Sequence, residues 1–291
     1  MSQLLFTHFR YSSHTHKAQL HLLDREQSAY HFIEPNNQPL TLQFDTTQRY
    51  CTGWHDLAAG VTYPCSDAAS LPEAYHECRH CQQKTGFNPA FYHASSISPQ
   101  QQARNQSPHL LYLAHFGPGV LKVGISWAAR GKGRLLDQGA RSYLLLKTFS
   151  TAEEARAMEA SIAALPGISE ALQSRTKHNL LHRPYDTAAG SAELLNCRDL
   201  LESTLNTTFE ARTPEALDTF YLIQPLRHSS LVSLDTKKIS GQFIGMIGST
   251  LILQQDDVQF MLSLNKFRGY PVSISDSIET NTHAPLQTSL F

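Results

Sequence analysis

Residues 110–126, LLYLAHFGPGVLKVGIS, carry the reading that decides the fold. Two apolar, β-prone runs, LLYLAHF and VLKVGIS, flank Gly117-Pro118-Gly119. Glycine and proline reverse a chain tightly, so the stretch predicts an antiparallel hairpin. Next, ARGKGRLLDQG reads as a short helix closed by Gly139, and SYLLLKTFS as a third strand. Thr151 opens a second helix with Glu154 as its capping-box partner, and Pro166-Gly167 stops it near Leu165. The order strand, strand, helix, strand, helix defines a small α+β unit.

Outward from this unit the signals change. Residues 1 to about 48 read as short strands, including KAQLHLL and LTLQFD on either side of the turn-like EPNNQP. The segment Cys51 to Cys81, punctuated by Gly53, Gly60, Pro64 and Pro72, reads as loops. Ser96 to His109 is rich in Gln, Ser and Pro and reads as a linker. Residues 170 to 210 read as helical. From 217 onward, FYLIQPL, ISGQFIGMIGSTLILQ and YPVSIS predict strands bent at Gly241, Gly245 and Gly248, and Ser275 to Pro285 reads as a mobile tail. The expected organisation is a β-rich N-terminal module over 1–106, the α+β unit with its following helices over 107–212, a β-rich module over 213–274 and a tail over 275–291.

Composition narrows the class. The chain has 291 residues, 41% hydrophobic and 17% charged, which fits a globular protein of more than one small unit and excludes a disordered or fibrous one. The opening MSQLLFTHFR has no apolar signal region, and no apolar run reaches the ~18 residues of a membrane span, so a cytoplasmic, non-membrane protein is expected. Net charge is −1, so any nucleic-acid surface must be local. From Arg104 to Lys147 the chain supplies one: Arg104, Lys122, Arg130, Lys132, Arg134, Arg141 and Lys147 stand against Asp137 alone.

Four of the five cysteines, Cys51, Cys65, Cys78 and Cys81, crowd into one window, where uniform scatter would put about half a cysteine. Thiolates suit tetrahedral Zn²⁺, and Cys78-x-x-Cys81 presents two ligands from one turn. His76 and His80 flank Cys78 as alternative ligands, and free structural thiols are the other reading. A closed site of this kind stabilises a fold and leaves no position for catalysis.

The hairpin motifs resemble those of the GIY-YIG nuclease superfamily, with Tyr112 in the first motif and Lys122-Val123-Gly124 in the second. Arg134 and Glu159 stand where that superfamily carries its arginine and its metal-binding glutamate, and Asn179 is a candidate for its late asparagine. The runs CTGW, TGFNPAFY, YLAHFGPGVLKVGIS and RLLDQGA also resemble an uncharacterised bacterial domain-of-unknown-function family built on this core. One departure is Lys122, which occupies the place of a tyrosine.

The resemblance implies a divalent-metal-dependent DNA endonuclease acting in repair or replication. Glu159 would hold Mg²⁺ or Mn²⁺. Tyr112, its pKa lowered by the metal or by Lys122, would help deprotonate water, and Arg134 would stabilise the phosphate. Gly124 would let the backbone pass close to the substrate, and Arg130, Lys132 and Arg141 would contact nucleic acid. A zinc-containing binding or scaffold protein without catalysis is the alternative.

The helical wheel adds an independent argument. Ala155, Met158, Ile162 and Leu165 form one apolar face of the Thr151 helix, whereas Glu153 and Arg156 point away from it. Glu159 lies at the edge of that arc, where a buried carboxylate needs a cation or an ion pair, Arg134 being the obvious partner. Finally, Gln287-Thr288-Ser289-Leu290-Phe291 resembles the peptide that docks bacterial replication and repair proteins on the DNA sliding clamp. Gln287 would supply a directed hydrogen bond, and Leu290 and Phe291 the apolar anchor.

Overall fold

In the computed structural model, which describes residues 4–87 and 97–279, the chain opens as an antiparallel sheet of β1 (Leu4–Tyr11), β2 (Ala18–Asp24) and β3 (Ala29–Ile33). β4 (Pro39–Phe44) leaves this sheet for another one. The cysteine segment follows as two small ribbons. β5 (Arg49–Tyr50) pairs with β8 (Ser70–Leu71), β6 (Trp54–Asp56) with β7 (Val61–Tyr63), and α1 (Arg79–Thr85) closes the segment.

The stretch expected as a linker contains α2 (Pro99–Asn105). Ser98 caps it by accepting the Gln101 N–H, and Pro99 occupies the first turn, where its missing N–H costs nothing. Arg104 then ties the helix down by donating to the Leu57 carbonyl at 2.8 Å. Composition suggested a linker; the Ser-Pro start signal within it decided for a helix.

β9 (His109–Gly117) and β10 (Val120–Trp127) form the predicted hairpin through Pro118 and Gly119, the latter at φ +68° as a type II reversal requires. α3 (Gly133–Gln138) ends at Gly139, β11 (Ser142–Phe149) pairs with β9, and α4 (Ala152–Ala163) starts at the Thr151 cap. β12 (Ile168–Ser169) adds to the β10 edge, and α5 (Ser174–Leu180) and α6 (Thr187–Leu205) follow. With β13 (Glu215–Ala216) the sheet order is β12-β10-β9-β11-β13.

This sheet is apolar on both faces, which explains the unbroken apolar run in its central strand. Leu111 and Leu113 of β9 pack with Ile162 of α4 and with Leu194 and Leu201 of α6. The alternate residues Tyr112, Ala114 and Phe116 join the larger core on the other side.

FYLIQPL is not a strand. Its first residues form α7 (Asp218–Tyr221), and Leu222 makes one bridge to Gly245. The C-terminal sheet comprises β14 (Leu231–Ser233), β15 (Lys238–Ile247), β16 (Thr250–Gln255), β17 (Val258–Ser263) and β18 (Val272–Ser275), in the order β14-β17-β16-β15-β4-β18. β4 therefore sits between β15 and β18, so the stretches 1–106 and 213–274 share one sheet. The tail is held as far as Glu279: Thr41 donates to the Ser277 carbonyl at 2.7 Å, and the Glu279 N–H donates to Ser240 Oγ at 2.7 Å. The clamp-like residues Gln287, Leu290 and Phe291 lie outside the described residues. Among the described residues no helix is long and apolar enough to cross a membrane.

Candidate functional site

A cleft of about 660 Å³ opens at one side of the β9–β10 hairpin, and Tyr112, Lys122, Gly124, Arg130, Arg134 and Glu159 all line it. Tyr112 and Gly124 face each other across the ladder. A β-carbon at position 124 would meet the Tyr112 hydroxyl at 2.7 Å, so the glycine exists to let the phenol lie over it. Glycine here makes room for Tyr112, where the sequence suggested room for substrate.

Lys122 is only 8% exposed, and its Nζ donates to the Val123 carbonyl at 3.2 Å. Burial pulls its pKa below the ordinary lysine range, with Glu159 opposing the shift. Glu159, the one acid among the buried residues of α4, is 6% exposed. The partner it finds is Arg156, three residues earlier, at 2.5 Å; Arg156 also reaches Glu170 at 3.2 Å. The helical wheel had pointed Arg156 away, but a guanidinium spans i to i+3 along the surface and swings back over the carboxylate. Arg134 instead stands exposed beside Tyr112.

Burial raises the Tyr112 pKa, and the nearby Arg134 charge opposes that rise. Burial, the largest influence, shifts the phenol opposite to the lowering expected from Lys122. Two expected contacts fall elsewhere. Lys132 pairs with Glu215 at 2.6 Å. Arg141 is buried in a two-pronged ion pair with Asp218 at 2.5 and 2.6 Å and lies over the Tyr185 ring. Arg141 does not line the cleft. Asn179 is exposed on α5 and does not line the cleft.

The four cysteines converge as the spacing implied. Their sulfurs all lie within 4.8 Å of one another, and Cys65 and Cys78 are 3.8 Å apart. Tetrahedral Zn²⁺ with bonds of ~2.3 Å separates its sulfurs by about 3.8 Å, so the group can hold a zinc ion. Cys78 caps α1, which places Cys81 one turn away on the same side. Neither histidine belongs to the group: His76 faces Arg49 at 3.3 Å, and His80 faces Asp67 at 3.7 Å.

The sequence profile of a family described as protein of unknown function, DUF2797, matches residues 40–272. The chain belongs to the DUF2797 family. No curated protein and no solved structure matches it. The DUF2797 match contains the cleft and the cysteine group, whereas β1, β2 and β3 precede it.

Within the DUF2797 region, several cleft residues carried no recognisable motif. Arg156 and Glu170 are visible in hindsight only as an i,i+3 pair and its extension. Arg104 and Trp127 come together as a cation over an indole, 4.8 Å from the ring centre, although they are far apart in sequence. Behind the cleft, and not part of its lining, Lys177 of α5 donates to the Gln138 carbonyl at 2.9 Å, and burial, with Lys122 and Arg134 nearby, lowers its pKa to about 8. Five cations and two carboxylates line the cleft, a positive surplus in a chain of net charge −1.

Proposed function

We propose that this protein is a divalent-metal-dependent endonuclease that hydrolyses phosphodiester bonds in DNA, working in repair or replication. One observation supports this best: Tyr112, Lys122, Arg134 and Glu159, drawn from two strands and two helices, line a single cationic cleft. Three of them are buried, and burial of a tyrosine hydroxyl, an ammonium and a carboxylate together has a cost that an ordinary core avoids.

The chemistry follows from the side chains. Glu159, a hard oxygen ligand, fits Mg²⁺ or Mn²⁺ completed by water and substrate phosphate, and such an ion supplies charge stabilisation. Lys122 presents a poorly solvated ammonium, which attracts a phosphate oxygen more strongly than a solvated one. Arg134, exposed at the mouth, takes the charge that develops on the phosphorus oxygens. Tyr112 orients the attacking water through its hydroxyl. The Cys51–Cys65–Cys78–Cys81 group would hold structural zinc, and the C-terminal peptide would dock the protein on the sliding clamp.

The alternative, a nucleic-acid-binding protein without catalysis, draws on the Arg156–Glu159 contact, which already neutralises the carboxylate. The deciding experiment offers duplex, single-stranded, flapped and junction DNA with Mg²⁺ or Mn²⁺. Cleavage is expected, abolished by Glu159→Gln and slowed about 10²- to 10³-fold by Arg134→Ala. Binding without cleavage on every substrate would establish the alternative.

A further inference from the structure

A second groove of about 470 Å³ adjoins the cleft. Arg104, Trp127 and Arg130 line both, so the two meet along a shared wall. The groove continues onto β1 and β2, with Arg10, Ser12, Ser13, His14 and Gln19 along its length. Its charged residues are Arg10, Arg104 and Arg130 against Asp137, which pairs with Arg130. Burial holds His21 and His55 below the ordinary histidine range, so at neutral pH the arginines provide the field.

Two aromatic side chains stand in solvent along this path. Trp127, on the shared wall, is 37% exposed with Arg104 over its ring, and Phe87, on the cleft side, is 51% exposed. Apolar rings left in water beside arginines are poorly explained by folding, since each would gain from burial. They suit an occupant with flat π-faces and a regular negative charge. A base within a duplex has its faces covered by its neighbours, whereas an unpaired base offers them.

We propose that the cleft and the β1–β2 groove form one track for a single-stranded polynucleotide, with unpaired bases stacked on Trp127 and Phe87 and the backbone led past Arg104 and Arg130 to Arg10. This rests on the proposed nucleic-acid function and specifies its substrate: a strand that is unpaired where it crosses Trp127. It also gives a role to β1 and β2, which lie outside the family match.

The test measures binding alone, by fluorescence anisotropy, with full-length protein and no added divalent ion. Labelled oligodeoxynucleotide, oligoribonucleotide and blunt duplex of one sequence are compared, with poly-glutamate as competitor. A single strand should bind more tightly than the duplex, the first two arms showing which sugar is preferred. Trp127→Ala should weaken single-strand binding about 5- to 150-fold, and Trp127→Phe should restore most of it. Arg10→Ala should lower the slope of log affinity against log salt by about one.

Equal binding of duplex and single strand, an unchanged Trp127→Ala, or displacement of the strand by poly-glutamate at matched charge would overturn the proposal. Loss of binding in both Trp127 variants would as well, because it would report a structural role. Cleavage is read separately. A Trp127-dependent single-strand binder that never cuts keeps this inference and removes the nuclease, whereas a Glu159-dependent nuclease indifferent to Trp127 does the reverse.

Discussion

Lys122 shows what the cleft costs. An ammonium taken out of water costs free energy unless its charge is used, and the Lys122 ammonium donates to the neighbouring Val123 carbonyl. Lys122→Met keeps the length and apolar stem while removing the charge. It should unfold at the same or a higher temperature than wild type in thermal melts, yet lose nucleic-acid binding and cleavage. A variant that is less stable and fully active would show that Lys122 serves packing. Glu159 poses the mirror problem: its ion pair is with Arg156, and with that guanidinium removed the buried carboxylate would keep only the nearby Lys122 charge. The presence of Glu159 at the apolar edge was legible from a 3.6-residue period. The identity of its partner was not, because a wheel gives the direction of a Cα–Cβ bond and says nothing of where a five-bond side chain ends.

Elements were legible where local chemistry agreed with packing. The β9–β10 hairpin, the α3 stop at Gly139 and the Thr151 cap were all foreseen from turn and cap residues, and all are present. The cap differs in one detail: Thr151 accepts the Glu154 N–H, while Glu154 returns its carboxylate to the Ser150 N–H in place of that of Thr151. FYLIQPL failed because β-prone composition was overridden by its neighbour. The Gly245 backbone passes so close to Tyr221 that a β-carbon there would lie 2.3 Å from its carbonyl oxygen. At the cysteine segment, short ribbons with little core depend on a cross-link. One zinc per chain is expected by elemental analysis of dialysed protein. Cys78→Ser should lose that zinc and lower the melting temperature, because binding free energy of this kind is folding free energy. Metal-free protein that melts with the untreated sample would remove the structural role.

Across the whole molecule, the insertion of β4 between β15 and β18 governs independence. A chain beginning at residue 107 would leave two strand edges of the C-terminal sheet unpaired and Leu40, Leu42 and Phe44 missing from its core. Such a chain should aggregate or fail to unfold cooperatively in denaturant titration. A soluble chain with a full-amplitude transition would show instead that the sheet closes without β4.

The sequence by itself determined the α+β class, the hairpin, the capped helices, the four converging cysteines and the buried glutamate, because each rests on interactions within a few residues or on spacing along one element. Tertiary structure alone decided that both ends of the chain share a sheet, that Arg141 is spent on Asp218, and that Trp127 and Arg104 meet between two grooves. Strand partners and long-range ion pairs join residues scores of positions apart. They are chosen by which apolar faces must be covered at once, and that sum is taken over the folded chain.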